Sequence, residues 1–252
     1  MASYPSLAGK LVLITGGGGG IGAAMVEAFA HQDTEVVFVD VDAQGAQRTA
    51  DAAAKLGPIP PRFGVCDLRD IKQTLATLDE LLRGRSLHAL VNNAGNDSPQ
   101  RFGEVSIEEW DDRVAVNLRH QYFIAQHVAA KMRDAKRGAI VNLGSISWMI
   151  GAPGVSVYTT LKSAVAGLTK SLARELGPDG IRVNAIAPGW VLTERQLEKG
   201  ARHPEKFAQY LERQCLKTHL QPHHVAELAL WLCADESEMC TAQTFVIDGG
   251  VV

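Results

Sequence analysis

Thr15-Gly16-Gly17-Gly18-Gly19-Gly20-Ile21-Gly22 stands between an apolar run, Leu11–Thr15, and a segment of helical period, Ile21–His31, that places Ile21, Met25, Val26 and Phe29 on one face. Glycine allows φ > 0 and lets the main chain approach a ligand closely. A helix start presents free N–H groups and the positive end of the helix dipole. A strand feeding a helix through such a turn is a site for a pyrophosphate, with Gly16, Gly20, Ile21 and Gly22 as its contacts. A glycine run alone is equally a flexible strand–helix turn, so its surroundings have to decide.

The next apolar run, Val36-Val37-Phe38-Val39, ends on Asp40. A carboxylate at the end of the second strand accepts hydrogen bonds from ribose hydroxyls and repels a 2′-phosphate. No Arg or Lys lies in the glycine turn and Val41 follows Asp40, so the expected cofactor is NAD and not NADP. The plainer alternative is that Asp40 starts a turn with Asp42.

Further short β-rich runs follow at Arg62–Cys66, Ala89–Asn92, Ala139–Leu143, Arg182–Ile186 and Thr244–Ile247. Most are apolar on both faces, as parallel strands covered on both sides must be. Helical periods fill the intervals at Ala43–Leu56, Ile71–Leu82, Ile107–Arg133, Val157–Leu176 and His223–Cys233. Alternating units of this kind predict an α/β fold with a doubly wound parallel sheet of about seven strands and helices on both faces. No linker or repeat divides the chain, which reads as one domain over residues 1–252. Residues near 190–221 interrupt the rhythm with helical, charged sequence, as a lid over a ligand crevice would.

Of the 252 residues, 46% are hydrophobic and 21% charged, and the formal net charge is −3. These values exclude disordered and fibrous classes and provide no electrostatic basis for a nucleic-acid or membrane-surface partner. The start of the sequence lacks a basic segment followed by an apolar stretch, and the uncharged run Gly138–Leu161 carries too many polar and glycine residues to span a bilayer. Cys66, Cys215, Cys233 and Cys240 form no Cys-x-x-Cys pair, so free thiols in a cytoplasmic protein are expected. No metal is expected. His219, His223, His224 and Glu227 form one cluster with metal-compatible spacing, and a polar helix start at Pro222 is the plainer explanation.

Tyr158 and Lys162 are spaced i, i+4 and share a helix face. An ammonium beside a phenol favours the phenolate, which can then act as a general base. Ser145, upstream and just past a strand end, can hold the same substrate oxygen. Asp67 ends the third strand, where it can meet an adenine amino group, with Leu68 beside it. In Asn92-Asn93-Ala94-Gly95, the amides can tie neighbouring strands and Gly95 leaves room for a cofactor.

Taken together, TGGGGGIG at Thr15–Gly22, Asp67, NNAG at Asn92–Gly95, Asn117, Ser145, Tyr158-x-x-x-Lys162, and Pro188-Gly189 followed by Thr193 resemble the classical short-chain dehydrogenase/reductase family, in the family's order and over nearly the whole chain. Gly144 departs from the family, where serine commonly precedes the catalytic serine. The resemblance implies a Rossmann fold, proton exchange by Tyr158, a Lys162 that binds the nicotinamide ribose and lowers the tyrosine pKa, a Ser145 that orients the substrate oxygen, and an Asn117 that holds a relay water. It also implies that Asn93, Pro188, Gly189, Val191 and Thr193 contact the cofactor, and that the protein is a homotetramer built on its long helices and C-terminal strand.

Val116–Phe123, Arg213–Lys217, Leu220–Pro222 and Met239–Gln243 resemble the family's sugar-oxidising branch, the NAD-dependent aldose 1-dehydrogenases of the D-xylose-oxidising type. That resemblance implies oxidation of an anomeric hydroxyl to a lactone. Asn96, Ser147, Trp148, Trp190 and Gln196 are the expected sugar contacts, because polyols call for converging amides and hydroxyls beside a flat aromatic surface. Packing explains the tryptophans and turn formation explains Asn96 equally well. The alternatives are a reductase of 3-oxoacyl thioesters or small ketones, a polyol or secondary alcohol dehydrogenase, and a non-catalytic dinucleotide-binding regulator. Asp40 opposes the first, since reductases usually draw on NADPH, and the intact Ser145, Asn117, Tyr158 and Lys162 set opposes the last.

Overall fold

A computed structural model describes residues 2–200 and 204–252. Its strands are β1 (Leu11–Thr15), β2 (Glu35–Asp40), β3 (Arg62–Val65), β4 (Ala89–Asn92), β5 (Gly138–Leu143), β6 (Ile181–Pro188) and β7 (Thr244–Ile247). They form one sheet in the order β3-β2-β1-β4-β5-β6-β7, with every pairing parallel.

Alternation along the strands sorts the core into two layers. Val12 and Ile14 of β1, Val36 and Phe38 of β2, and Ala89 and Val91 of β4 join one cluster; Leu11 and Leu13, Val37 and Val39, and Leu90 join the other. The first cluster is closed by α1 (Gly20–Ala30), α2 (Ala43–Ala53) and α9 (Pro222–Cys233), and the second by α3 (Ile71–Leu82), α5 (His120–Asp134) and α6 (Ser156–Leu176). The expected doubly wound sheet is therefore present.

The chain leaves β1 toward β2 and β3 on one side and returns to place β4 on the other. Open α/β sheets take their ligands beyond the strand ends at such a reversal. Both the glycine turn after β1 and Asn93 after β4 sit there.

Several boundaries differ from the sequence expectation. β6 runs on to Pro188 because its second half pairs with β7 in the register Ala185↔Thr244 to Pro188↔Ile247. α2 stops at Ala53, short of Leu56, and the chain turns there. The expected helix Ile107–Arg133 is α4 (Ile107–Val114), capped by the Ser106 side chain on Glu109 N–H, then a π-helical turn over Ala115–Arg119, then α5. A π turn inserts one residue into the helical ladder, and such insertions concentrate at functional sites. This one carries Asn117. The segment expected to be a lid forms α7 (Glu194–Gly200) and α8 (Pro204–Arg213), and a parallel bridge pairs Val191 with Leu220 at its base. Pro222 occupies the first turn of α9, and His224 Nδ1 accepts the Gln221 N–H at 3.0 Å, so this histidine serves the helix start.

Candidate active site

The glycine turn is shaped by contact. Gly16 has φ +69°, and a Cβ on it would lie 2.9 Å from Ala94 Cα. A Cβ on Gly22 would lie 1.8 Å from the Gly16 carbonyl oxygen. A Cβ on Gly19 would meet nothing within 4 Å, so the open side of the turn is at Gly19, which caps α1. Asp40 Oδ2 accepts the Gly18 N–H at 2.7 Å and Oδ1 accepts the Asp42 N–H at 2.9 Å, so Asp40 both faces the turn and starts the one that follows it. A cradle of bare main chain opening at a helix start, with a carboxylate at its edge, fits a dinucleotide. Gly16, Gly20 and Gly22 would hold the phosphates, and Asp40 a ribose. Ile21, the other expected contact, packs partly buried on the core beneath. The lid segment reaches this turn, since a Cβ on Gly20 would lie 3.1 Å from Thr193 Cγ2.

The other expected cofactor positions lie near the same end of the sheet. Asn93 Nδ2 donates to the Thr15 and Gly16 carbonyls, each at 3.0 Å, tying β4 to the start of the glycine turn. Asn92 Nδ2 donates to Asn142 Oδ1 at 2.9 Å, tying β4 to β5. Gly95 faces the chemistry: a Cβ there would lie 3.1 Å from Asn117 Oδ1 and 3.4 Å from Lys162 Nζ. Asp67 is gripped by Arg69, whose Nη2 lies 2.5 Å from Oδ2, and this hydrogen-bonded cation pulls the carboxyl below its ordinary range. Any adenine contact at Asp67 would share an oxygen already bound. Leu68 is buried in the second core layer. Pro188 ends β6, Gly189 packs against Tyr210 and Asp248, and Val191 is buried in the first core layer.

Tyr158 and Lys162 lie in the first two turns of α6, and Lys162 Nζ sits 5.6 Å from the Tyr158 ring centroid. The Tyr158 hydroxyl hydrogen-bonds Ser145, whose Oγ also accepts the Ser147 N–H at 3.1 Å. Lys162 is buried, and its Nζ donates to the Leu143 carbonyl at 2.7 Å. One sequence expectation fails at this point. Burial pushes the Tyr158 phenol up to about 12, with the Ser145 hydrogen bond opposing and the charge of Asp97 adding to the rise. Burial also brings Lys162 down to about 8, with Asp97 opposing. Removing the phenolate from water therefore outweighs the Ser145 hydrogen bond that favours it. A phenol held against a serine hydroxyl, with a buried amine on the same helix face, is a set of groups able to exchange a proton with a bound hydroxyl.

Asn117 is buried on the π turn. Its Oδ1 accepts the Asn96 N–H at 2.9 Å and its Nδ2 donates to the Arg113 carbonyl at 3.1 Å, so its side chain fixes the loop after β4. Two neighbours lie in the Val116–Phe123 run but were not expected as site residues. Gln121 is buried and Nε2 donates to the Asn117 carbonyl at 3.3 Å, and the buried His120 has its pKa pushed down to about 3 by burial and by the nearby Lys162 charge. Their signal was a His-Gln pair on a helix face otherwise apolar enough for the core.

The expected substrate residues divide. Ser147 Oγ is buried with no hydrogen-bond partner among the described residues, and Trp148 is partly exposed next to it. Asn96 Oδ1 accepts the Ser98 N–H at 2.9 Å and so shapes a turn. Trp190 stacks on Phe207 at 4.7 Å, packs edge-on against Tyr210, and donates Nε1–H to Gln196 Oε1 at 3.0 Å. It is the packing centre of the segment expected to be a lid. Gln196 Nε2 in turn donates to Asp97 Oδ2 at 2.7 Å, joining α7 to the loop after β4. Asp97 was not among the sequence candidates.

A family model described as "Enoyl-(Acyl carrier protein) reductase" matches residues 17–252. D-xylose 1-dehydrogenase from Caulobacter vibrioides is 45% identical over 249 residues, covering 99% of this chain and 98% of that protein. The chain belongs to the short-chain dehydrogenase/reductase family. As a member of this family it is an oxidoreductase. A probable galactose dehydrogenase from Rhizobium meliloti is 43% identical over 251 residues, covering 99% of the chain and 98% of that protein. A 3-oxoacyl-[acyl-carrier protein] reductase from Brucella melitensis, solved with bound NAD, superposes with a TM-score of 0.90 at 34% identity and covers 98% of this chain and 93% of that one. A dehydrogenase/reductase of this family works with a nicotinamide cofactor. Among the described residues, no helix is long and apolar enough to cross a membrane.

Proposed function

We propose that this chain is an NAD-dependent dehydrogenase that oxidises the anomeric hydroxyl of an aldose to the lactone. The observation that carries the reading is the meeting of Tyr158, Ser145 and Lys162 with Gly95, two residues after the Asn93 that ties to the glycine turn, together with similarity over the full chain to enzymes named for xylose and galactose. Ser145 holds the substrate hydroxyl and Tyr158 takes its proton. Lys162 passes protons outward past Asn117, which holds the relay in place from the π turn. When bound, the oxidised nicotinamide supplies the hydride acceptor, and Lys162 holds its ribose. Asp40 selects NAD because its carboxylate, already at the glycine turn, opposes a 2′-phosphate.

Asn93, Gly95, Pro188, Gly189, Val191 and Thr193 complete the cofactor crevice, and Asp67 and Leu68 flank the adenine end. Ser147, Trp148, Gln196 and the Trp190 ring system form the substrate side. The chain acts as one domain with residues 190–221 as the lid, in the cytoplasm and as a homotetramer. The mostly apolar hollow lined by Val114, Leu118, Arg119, Tyr122, Ala164 and Leu168 on the outer helices supports assembly through a second copy.

The test is a panel of pentoses and hexoses with NAD and NADP, followed by absorbance of the reduced cofactor. Oxidation of aldoses with NAD is the expected result. The second reading, a reductase of 3-oxoacyl thioesters, is favoured by the family description and the Brucella structure. Turnover of an acyl thioester with NADPH, and of no aldose, would replace the first reading with it.

A further inference from the structure

Lys162 Nζ rests on one oxygen of the protein. Among the described residues it donates to the Leu143 carbonyl, at 2.7 Å, and to no other acceptor. Leu143 is the last residue of β5, and Gln121 Nε2 stands 3.5 Å from the same carbonyl oxygen. That Nε2 also donates to the Asn117 carbonyl of the π turn at 3.3 Å. A carboxamide nitrogen carries two N–H groups, one for each carbonyl. Turned the other way, Oε1 would face two carbonyl oxygens, so the partners fix the orientation of the amide. Gln121 is fully buried, and its main chain is pinned as well, since its carbonyl accepts Asn92 Nδ2 at 3.4 Å. The amide is therefore wedged between the turn that carries Asn117 and the strand end that carries the Lys162 acceptor. A π turn moves main-chain hydrogen bonds from i+4 to i+5. Here a side chain four residues on supplies a donor to the Asn117 carbonyl.

Resting on the roles proposed above for Tyr158 and Lys162, and not on the identity of the sugar, we propose that Gln121 is a positioning residue of the active site: by bridging the Asn117 and Leu143 carbonyls it sets where the Lys162 amine stands relative to the Tyr158 phenol and the ribose site. The amine has little play. A Cβ on Gly95 would lie 3.4 Å from Nζ and 3.1 Å from Asn117 Oδ1, so the loop after β4 walls it on another side. Filling the core asks for no amide at this position. A leucine or methionine would take similar space without burying Oε1, which has no hydrogen-bond partner among the described residues. What the amide adds over an apolar side chain is a donor for each of two carbonyls. The titratable groups around Lys162 are Tyr158 on its own helix, His120 beside Gln121 on α5, and Asp97 after β4. A Gln121 substitution leaves all three in place and changes what the Leu143 and Asn117 oxygens accept.

The test compares the wild type with three variants. Gln121→Met keeps the length of the side chain and has no donor. Gln121→Asn carries its amide one methylene short, so it cannot span both carbonyls. Thr169→Val removes an equally buried hydrogen bond, from Asn142 Nδ2 to Thr169 Oγ1 at 3.1 Å, that does not involve Lys162. Lysines labelled with carbon-13 at Cε report the Lys162 titration by NMR in the cofactor-free protein, the signal being assigned by its loss in Lys162→Met. Without the competing amide the Leu143 oxygen is left to the ammonium, which is then favoured over the amine. The midpoint near pH 8 should rise by about half to one pH unit in Gln121→Met and move the same way in Gln121→Asn. NADH affinity, read by fluorescence, should weaken by about three- to tenfold, and kcat for D-xylose with NAD should fall by about tenfold with the sugar KM little changed. Thr169→Val should lower the urea midpoint about as much as Gln121→Met and leave the titration, NADH affinity and kcat at wild-type values. If Gln121→Met does not fold, Gln121→Asn carries the same comparison. A folded Gln121 variant with the wild-type titration and NADH affinity overturns the assignment, and so does a Thr169→Val protein that reproduces the Gln121 shifts. Lys162→Met with wild-type NADH affinity and turnover overturns the role of Lys162 on which the inference rests, and shows it before any Gln121 variant is made.

Discussion

Replacing Lys162 with methionine isolates what burial does to this charge. Lys162 is 3% exposed, and its pKa falls from 10.5 to about 8. The folded state therefore releases its proton about two and a half pH units before the unfolded chain, and holding the charged form inside costs about 3 kcal/mol below pH ~8. Between about pH 8 and pH 10.5 the unfolded chain binds more protons than the folded one, so the contribution of this group to stability rises with pH across that window. Integrated from about pH 7.5 to about pH 9.5, the gain in wild-type stability from Lys162 is about 2 kcal/mol. Lys162→Met has no such gain. Methionine also loses the hydrogen bond to the Leu143 carbonyl, but that loss does not titrate and cancels when two pH values are compared. Urea unfolding of both proteins at one concentration and at the two pH values gives the required double difference. The stability of the variant relative to the wild type should drop by about 2 kcal/mol from the lower to the higher pH. Parallel changes in the two proteins would show that the Lys162 ammonium is as comfortable inside as in water, and would remove burial as the cause of its titration near neutrality.

Tyr158→Phe removes the proton acceptor and leaves the glycine turn untouched; steady-state turnover should fall by about a thousandfold or more while NADH fluorescence titration shows unchanged affinity, and retained turnover would assign the base elsewhere. Asp40→Ala removes the charge that opposes a 2′-phosphate, together with the acceptor for the Gly18 and Asp42 N–H groups; the kcat/KM ratio of NAD to NADP should fall by about tenfold, and an unaltered ratio would mean that Asp40 does not face the ribose. Gly22→Ala places a methyl 1.8 Å from the Gly16 carbonyl oxygen, so the turn has to open; NADH affinity measured by fluorescence should weaken by about a hundredfold, and wild-type affinity would separate the turn from the cofactor site.

Of the two readings of Asp40 that competed in the sequence, the turn with Asp42 is present in the structure, where one carboxylate oxygen serves Asp42 and the other Gly18, and the ribose contact belongs to the proposed function. For Trp190 and Asn96 the plainer alternatives are present, Trp190 packing on the Phe207 and Tyr210 rings and Asn96 Oδ1 accepting the Ser98 N–H, and neither contact bears on whether a sugar meets the same side chains. Asp97 was passed over because a lone acid in a polar loop has no pattern; its importance comes from Gln196 and Arg195, almost a hundred residues away.

What the sequence by itself determined is what depends on neighbours along the chain. Apolar period set the strands and helices, glycine placed the turn after β1, and the i, i+4 spacing put Tyr158 and Lys162 on one helix face. Only the tertiary structure decided the sign of the Tyr158 pKa shift, the π turn that carries Asn117, and the Asp97 contact between loop and lid. The division is physical: local periodicity is written in consecutive residues, whereas the cost of burying a charge and the partner of a polar side chain depend on which distant segments fold against it.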